Sequence, residues 1–346
     1  MTKTQHPLSV ANRMQFEDAG RVKNEDTLTF FTRRLLNVCR PTDPGIPRLS
    51  IDQFAELYAS NNQEHGHHFV IHQHRSTRGG THYDLRLQFS ATSSISFVIP
   101  RGVPGNTSGR RIGRAAVESR VHNLWQHLLE SANNMSGSLL IWDTGTYSVL
   151  PRSTYSEEKI RKGLGPPRHL YPGMHIKDYP SQHQNERLIH AFQTGLIRLR
   201  LHGTRLPKDY TITLKINLGN SPKLSKTNVS SRSETEETHT TGAESEIEAL
   251  YETRLRLNNA YPGSRNSIGS IFKRRWTLAL DRVSSGFVRV SDNNVDEWVR
   301  DGDKGFDPFL VGGPGVDRSL VTGRLATEVE SDAGLMAHKS QAEDGA

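Results

Sequence analysis

Hydrophobic and polar residues alternate with a period of two along much of this chain, most clearly from His68 to Phe89, HFVIHQHRSTRGGTHYDLRLQF. The second half of that stretch sends His82, Asp84 and Arg86 to one side and Tyr83, Leu85, Leu87 and Phe89 to the other, the pattern of a half-buried strand. In the first half Val70, His72 and His74 share a face opposite Phe69, Ile71 and Gln73, and the Gly-rich STRGGT joins the two strands as a hairpin connection. Further strands are predicted at Ser96–Ile99, Ala115–Val117, Leu139–Trp142 and Thr146–Leu150, the last two folded about DTG as a tight turn. Residues 196–202 and 210–216 predict a hairpin with a longer loop, and RRWTLALDR and Phe287–Val290 predict two more strands.

Helical spacing is rarer. It predicts helices over Glu25–Val38, after Ser50, between Asn123 and Ala132, over Leu188–Phe192, and through Ile247, Leu250 and Leu255. Ser50 is a fitting N-cap because Gln53 follows three residues on, completing a capping box ahead of the stripe Ile51, Phe54, Leu57 and Tyr58. Between these elements lie the breaker run PTDPGIP, a polar Pro/Gly/His-rich insertion from Ser156 to Asn185, and a Ser/Thr/Glu-rich stretch from Asn220 to Ser245 almost free of apolar residues. The last 25 or so residues are polar and are expected to fray. Many short strands and few long helices predict a mainly β protein: a compact β-barrel decorated by short helices, with a disordered insertion and a C-terminal extension.

Composition alters this picture in three respects. At 346 residues with 34% hydrophobic content, the chain can bury a substantial core and still leave some length disordered. A formal charge of +7 favours an anionic partner, nucleic acid before membrane. The single cysteine, Cys39, excludes an internal disulfide and a cysteine-based zinc site and fits a reducing compartment. No apolar run approaches the length of a membrane span, and the first residues lack the apolar core of a secretory signal, so an intracellular, non-secreted protein is expected.

The polar face of the His68–Phe89 hairpin is the chemical centre of the sequence. Two histidines and an aspartate suffice to hold a divalent transition metal, and the donor types do not select which one. Arg86 on the same face suits a bound phosphate, which a guanidinium grips bidentately. The alternative is an exposed sheet face on which such residues are ordinary. The density of histidine weighs against that, since His65, His67, His68, His72 and His74 all precede His82 closely. Downstream, His122 and His127 could each reach back to the site, and Arg101, Arg110 and Arg111 in PRGVPGNTSGRR could embrace a phosphate backbone. His82-Tyr83-Asp84 is also an HxD pair, which allows a lower-ranked reading as a non-haem Fe(II) oxygenase.

The ordered motifs FVIHQH, THYDLRLQF, ISFVIPRG, RRIGRAAVES and LLIWDTGTY, followed by LIRLRLHGTRLPKDYTITLK, resemble the 3′-phosphoesterase domain of bacterial DNA ligase D and its stand-alone relatives, including fungal ones. The resemblance runs from about Phe69 to Ile216 and implies a β-barrel that binds Mn²⁺, or another divalent transition metal, and heals DNA 3′ ends. Such domains remove a 3′-terminal ribonucleoside and then the 3′-phosphate. Carried over by position, the resemblance implies His74, His82 and Asp84 as metal ligands, with His72 a rival for the first because the spacing to His82 is two residues longer than in the family. It implies Arg86 and His122 as catalytic phosphate-contacting residues, His122 with a two-residue offset. It also implies a role in DNA repair, DNA 3′ ends as partner, a DNA ligase or end-joining proteins as associates, no membrane partner, and a nuclear location. The family's loop before WDxG is reduced here to ESANNMSGS, and a tyrosine that the family carries after its downstream histidine has Trp125 and Gln126 nearest to its place. A binding module that keeps the fold without the activity is therefore the alternative. The expected organisation is an N-terminal extension, partly disordered, over 1–47; the phosphoesterase-like domain over 48–219; a disordered linker or insertion over 220–245; a C-terminal extension over 246–330; and a flexible tail over 331–346.

Overall fold

The hairpin that dominates the sequence is paired residue against residue. Strand β1 (His68–Ser76) runs antiparallel to β2 (Gly80–Gln88), with His72 opposite Asp84 and His74 opposite His82. A computed structural model describes residues 26–77, 79–108, 113–151, 183–217, 258–292 and 295–335. Around the hairpin follow β3 (Ser93–Ile99), β4 (Gly113–Glu118), the short β5 (His122–Asn123) and β6 (Ser131–Asn133), then β7 (Gly137–Val149), β8 (Leu196–Gly203), β9 (Thr211–Ile216) and β10 (Arg275–Leu280). The order β1-β2-β3-β4-β10-β9-β8-β7, with β7 returning to β1, closes an eight-stranded antiparallel barrel. Closure removes every sheet edge from that ring.

The inward face of the barrel is apolar. Phe69, Ile71, Leu85, Leu87, Phe97, Leu199, Ile212 and Trp276 belong to one buried cluster. Helix α3 (Gln184–Gln193) packs Leu188 and Phe192 into the same cluster, the Phe192 ring stacking 5.4 Å from Trp276. The outward face of β1 is also covered. Val70 and Ile141 join a second cluster with Phe31 and Leu35 of α1 (Thr27–Leu36), Phe54 and Tyr58 of α2 (Ile51–Asn61), Leu124, Leu128, Leu320 and Val321. The capping box at Ser50 and Gln53 forms as expected, each side chain bonding the other's backbone N–H at 3.1 Å. The polar face of β2 is thus the floor beneath a second layer, on the outside of the barrel.

Three expectations are corrected. Leu139–Trp142 and Thr146–Leu150 are not a hairpin about DTG but parts of the single strand β7. A bulge against Ile71/His72 shifts its phase, so Leu140 and Trp142 point inward before it, and Tyr147 and Val149 after it. Asp143, which sequence places in a turn, is buried and accepts the backbone N–H groups of Thr144, Thr204, Arg205 and Leu206, tying β7 to the β8–β9 loop. Gly145 is required there, because a Cβ would lie 1.9 Å from the His202 carbonyl oxygen. The helical pattern at Asn123–Ala132 resolves into a 3-10 turn, Leu124–Leu128, and strand β6, since Leu129 is already extended. The expected fraying of the last 25 or so residues does not extend to 322–335, where Thr322 and Arg324 are buried and α4 (Ala326–Asp332) packs on the barrel.

The C-terminal segment 246–330, read as an extension, supplies β10, which pairs with β4 on one side and β9 on the other. It also forms a separate two-stranded sheet, β11 (Phe287–Asp292) and β12 (Val295–Arg300). The expected disorder within 1–47 before residue 26, the insertion between 156 and 182, the linker 220–245, the helix through Ile247, Leu250 and Leu255, and the tail from 336 lie outside the described residues. Among the described residues no helix is long and apolar enough to cross a membrane.

Behind the polar face, His68 and His127 bond Nδ1 to Nδ1 at 2.7 Å, and the other nitrogen of His68 meets the Thr144 hydroxyl at 3.0 Å. Burial lowers His68 to about 3 from its ordinary 6.5 and holds His127 well below its own. The unfolded chain therefore takes up these protons first. Stability from the pair is complete above about pH 6.5 and is lost as pH falls toward the folded value. At pH 5, His68 alone should remove roughly 2 kcal/mol. A melting temperature unchanged between about pH 7.5 and pH 5 would rule this out.

Candidate metal centre

The β-pairing that opposes His74 to His82 brings three donors together. One ligand atom from each of His74, His82 and Asp84 lies within 4.8 Å of the others. His74 Nδ1 is 3.8 Å from Asp84 Oδ2, and His82 Nε2 is 3.6 Å from Asp84 Oδ1. The remaining imidazole nitrogens meet carbonyl oxygens, His74 Nε2 with Ser136 at 2.8 Å and His82 Nδ1 with Gly80 at 3.3 Å. Carbonyls only accept, so each ring donates there and turns a lone pair toward the cluster. Burial also holds His74 below its ordinary value, against the pull of the Asp84 carboxylate, which keeps the ring neutral and able to ligate.

The three donors stand at one wall of a cavity of about 270 Å³ whose lining includes Arg86, His122, Trp125, Gln126, Ser131, Asn133, Ser136 and Tyr261. Arg86 is 5% exposed, donating to the Gln126 carbonyl at 3.2 Å and approaching Asp84 Oδ2 at 3.5 Å. Its Nε, with Asp84 Oδ1 and His122 Nδ1, is buried with no hydrogen-bond partner among the described residues. Buried polar atoms are rarely left so. A cation against the carboxylate and an anion against the guanidinium would satisfy two of these atoms, and the donor set fits a divalent transition metal. His122 is held well below its ordinary value by burial and then by Arg86, so it faces the cavity uncharged.

Not every candidate residue converges. His72 is fully buried beside the Leu129 carbonyl, 3.1 Å away, and is neither in the three-donor cluster nor along the cavity. His127 is occupied by His68. Arg101 is exposed at the turn after β3 and does not line the cavity, while Arg110 and Arg111 lie outside the described residues. The shortened ESANNMSGS segment is used after all: it forms β6 and a turn in which the Asn133 side chain accepts from Met135 and Ser136, presenting the Ser136 carbonyl to His74.

Tyr261 was not among the residues that the sequence singles out. It enters from beyond the 220–245 stretch, with its backbone N–H on the Val121 carbonyl at 2.9 Å and its ring 4.8 Å from that of His122. Only the pairing of 258–261 against 119–121 places it, and no local pattern encodes that.

None of the curated proteins compared with this chain matches it. The family model of the DNA Ligase D 3'-phosphoesterase domain, however, matches residues 72–214, from the first residue after the β1–β7 bulge to the middle of β9. That span contains all three clustered donors, Arg86 and His122. Over residues 72–214 this chain is accordingly similar to the DNA Ligase D 3'-phosphoesterase domain, and segments from both sides of that span complete its fold.

Proposed function

We propose that this protein is a metal-dependent phosphoesterase that heals DNA 3′ ends during repair, removing a 3′-terminal ribonucleoside and the 3′-phosphate. The observation that carries the reading is the convergence of His74, His82 and Asp84 beside Arg86 and His122 in one cavity. In this role His74 Nδ1, His82 Nε2 and Asp84 hold Mn²⁺ or a similar ion. When bound, such an ion polarises a phosphoryl oxygen and lowers the pKa of a coordinated water. Arg86, fixed by Gln126 and Asp84, directs its Nε N–H at a phosphate oxygen and balances charge that grows as the bond to the leaving oxygen lengthens. His122 adds an uncharged imidazole on the same side. The burial of both makes these contacts stronger than they would be in water.

A 3′-hydroxyl is the end that a DNA ligase requires, so the natural associates are a ligase or end-joining proteins, and the place of work is the nucleus. The decisive assay supplies the purified chain with Mn²⁺ and a primer-template ending in a 3′-phosphate or a single ribonucleotide. Conversion to a 3′-hydroxyl is expected. Unchanged ends, with metal shown to be bound, would sink the catalytic reading and leave a DNA-end-binding module. Two histidines and one carboxylate are also the ligand set of Fe(II) oxygenases; 2-oxoglutarate consumption is the outcome that would favour that chemistry.

The choice of first ligand is tested by metal content. His74→Ala should lose bound Mn²⁺ after dialysis, whereas His72→Gln should retain it to within a few-fold. The reverse ranking would restore His72 as the ligand.

A further inference from the structure

Beside the cavity mouth, a ladder of aromatic and basic side chains is built largely from residues outside the matched family span. Arg120 Cζ lies 5.5 Å from the ring centre of Tyr261 and 5.7 Å from that of Phe272, and Lys273 Nζ lies 5.3 Å from Phe272. Tyr261 belongs to both features, since it lines the cavity and touches His122. Phe272 is 40% exposed and its neighbour Ile271 49%, in a turn closed by the Arg274 N–H on the Ile271 carbonyl.

That turn is held in an unusual way. Lys273 takes φ +66°, a left-handed conformation that glycine adopts freely and other residues rarely adopt. Its backbone N–H is pinned to the Glu118 carbonyl at 2.9 Å, and the Glu118 side chain holds Ser270, Ile271 and Arg274. The fold thus presents an aromatic ring and a cation to solvent at a fixed distance from the candidate metal centre. Between residues 258 and 280 there are four basic residues and no acidic one.

We propose that Tyr261, Arg120, Phe272 and Lys273 form a docking platform for the DNA strand leading to the processed 3′ end. An unpaired base just 5′ of the terminus would stack on Phe272, and Lys273 would face its phosphate. The occupant follows from the chemistry: exposed aromatic faces spaced by cations suit successive bases and phosphates of a single strand, and the platform is continuous with a cavity sized for a terminal phosphate. The inference rests on the reading of that cavity as a DNA 3′-end site, but it can fail separately.

The test measures binding of the full chain, with and without Mn²⁺, to a single-stranded DNA oligonucleotide ending in a 3′-phosphate, by fluorescence anisotropy. A second oligonucleotide carries abasic residues at the two positions before the terminus. Phe272→Ala should weaken binding of the normal strand about tenfold. The abasic strand should bind wild type about tenfold more weakly, yet lose little further affinity with Phe272→Ala, because both changes remove the same stack. Phe272→Trp should restore binding of the normal strand. Equal affinities for wild type and Phe272→Ala, or an abasic penalty undiminished in Phe272→Ala, would overturn the platform. Because binding is read without turnover, an inactive enzyme with intact platform behaviour would refute the catalytic reading alone.

Discussion

Asp84→Asn is expected to abolish stable metal binding and to lower 3′-phosphate release by about a thousandfold, or roughly 4 kcal/mol of transition-state stabilisation. The change is nearly isosteric, so the fold should persist. It replaces the charged carboxylate facing both imidazoles, 3.8 Å from His74 and 3.6 Å from His82. It also removes the negative partner of Arg86. The loss should therefore exceed the roughly 10–100-fold that follows removal of an outer hydrogen-bond partner of a ligand. Metal content by mass spectrometry and initial rates on a 3′-phosphate primer-template provide the two readouts. Full metal occupancy in Asp84→Asn would show that the cluster is not the binding site.

The largest expected effect on stability lies elsewhere. Glu118, on β4, is buried, with its carboxylate accepting from Ser270, Ile271, Arg274 and the indole N–H of Trp276. Glu118→Ala would strand the buried Arg274 guanidinium without its counter-charge, and breaking such a pair typically costs about 3–5 kcal/mol. For a chain of this size that corresponds to a fall in melting temperature of about 10 °C. Replacing the exposed Glu297 by alanine provides the contrast and should change stability by less than about 0.5 kcal/mol. Equal melting temperatures for the two variants would mean that the Glu118 cluster does not hold the 270–276 segment to the barrel.

What the sequence disclosed, and what it hid, divides along the range of the interactions. The faces of His68–Phe89 were legible because side chains two apart on a strand share a side whatever lies around them. The Ser50–Gln53 capping box and the 196–216 hairpin were legible for the same reason, each being closed within a few residues. DTG misled because a bulge and a turn both interrupt a period of two, and only the buried partners of Asp143 tell them apart. Glu130, at the head of ESANNMSGS, carries no local mark of its role. It is buried, and its carboxylate accepts from Ser319, Thr322 and Arg324, nearly two hundred residues on, which is why the 322–335 segment is ordered. The cluster of His74, His82 and Asp84 stood on one hairpin and could be named in advance. Tyr261 comes to the same cavity by a pairing that local pattern does not encode.

The place of β10 has a consequence for how the molecule comes into being. The strands matched by the phosphoesterase family are synthesised by residue 216, yet β4 and β9 meet only through Arg275–Leu280. Until those residues leave the ribosome the nascent barrel is an open sheet with two bare edges, a state prone to pairing with other chains. A chain cut after residue 217 should therefore aggregate, and a ribosome-attached chain should gain protease resistance only after about residue 280 has emerged. The hairpin that carries the three clustered donors is thus made well before the strand that closes its barrel.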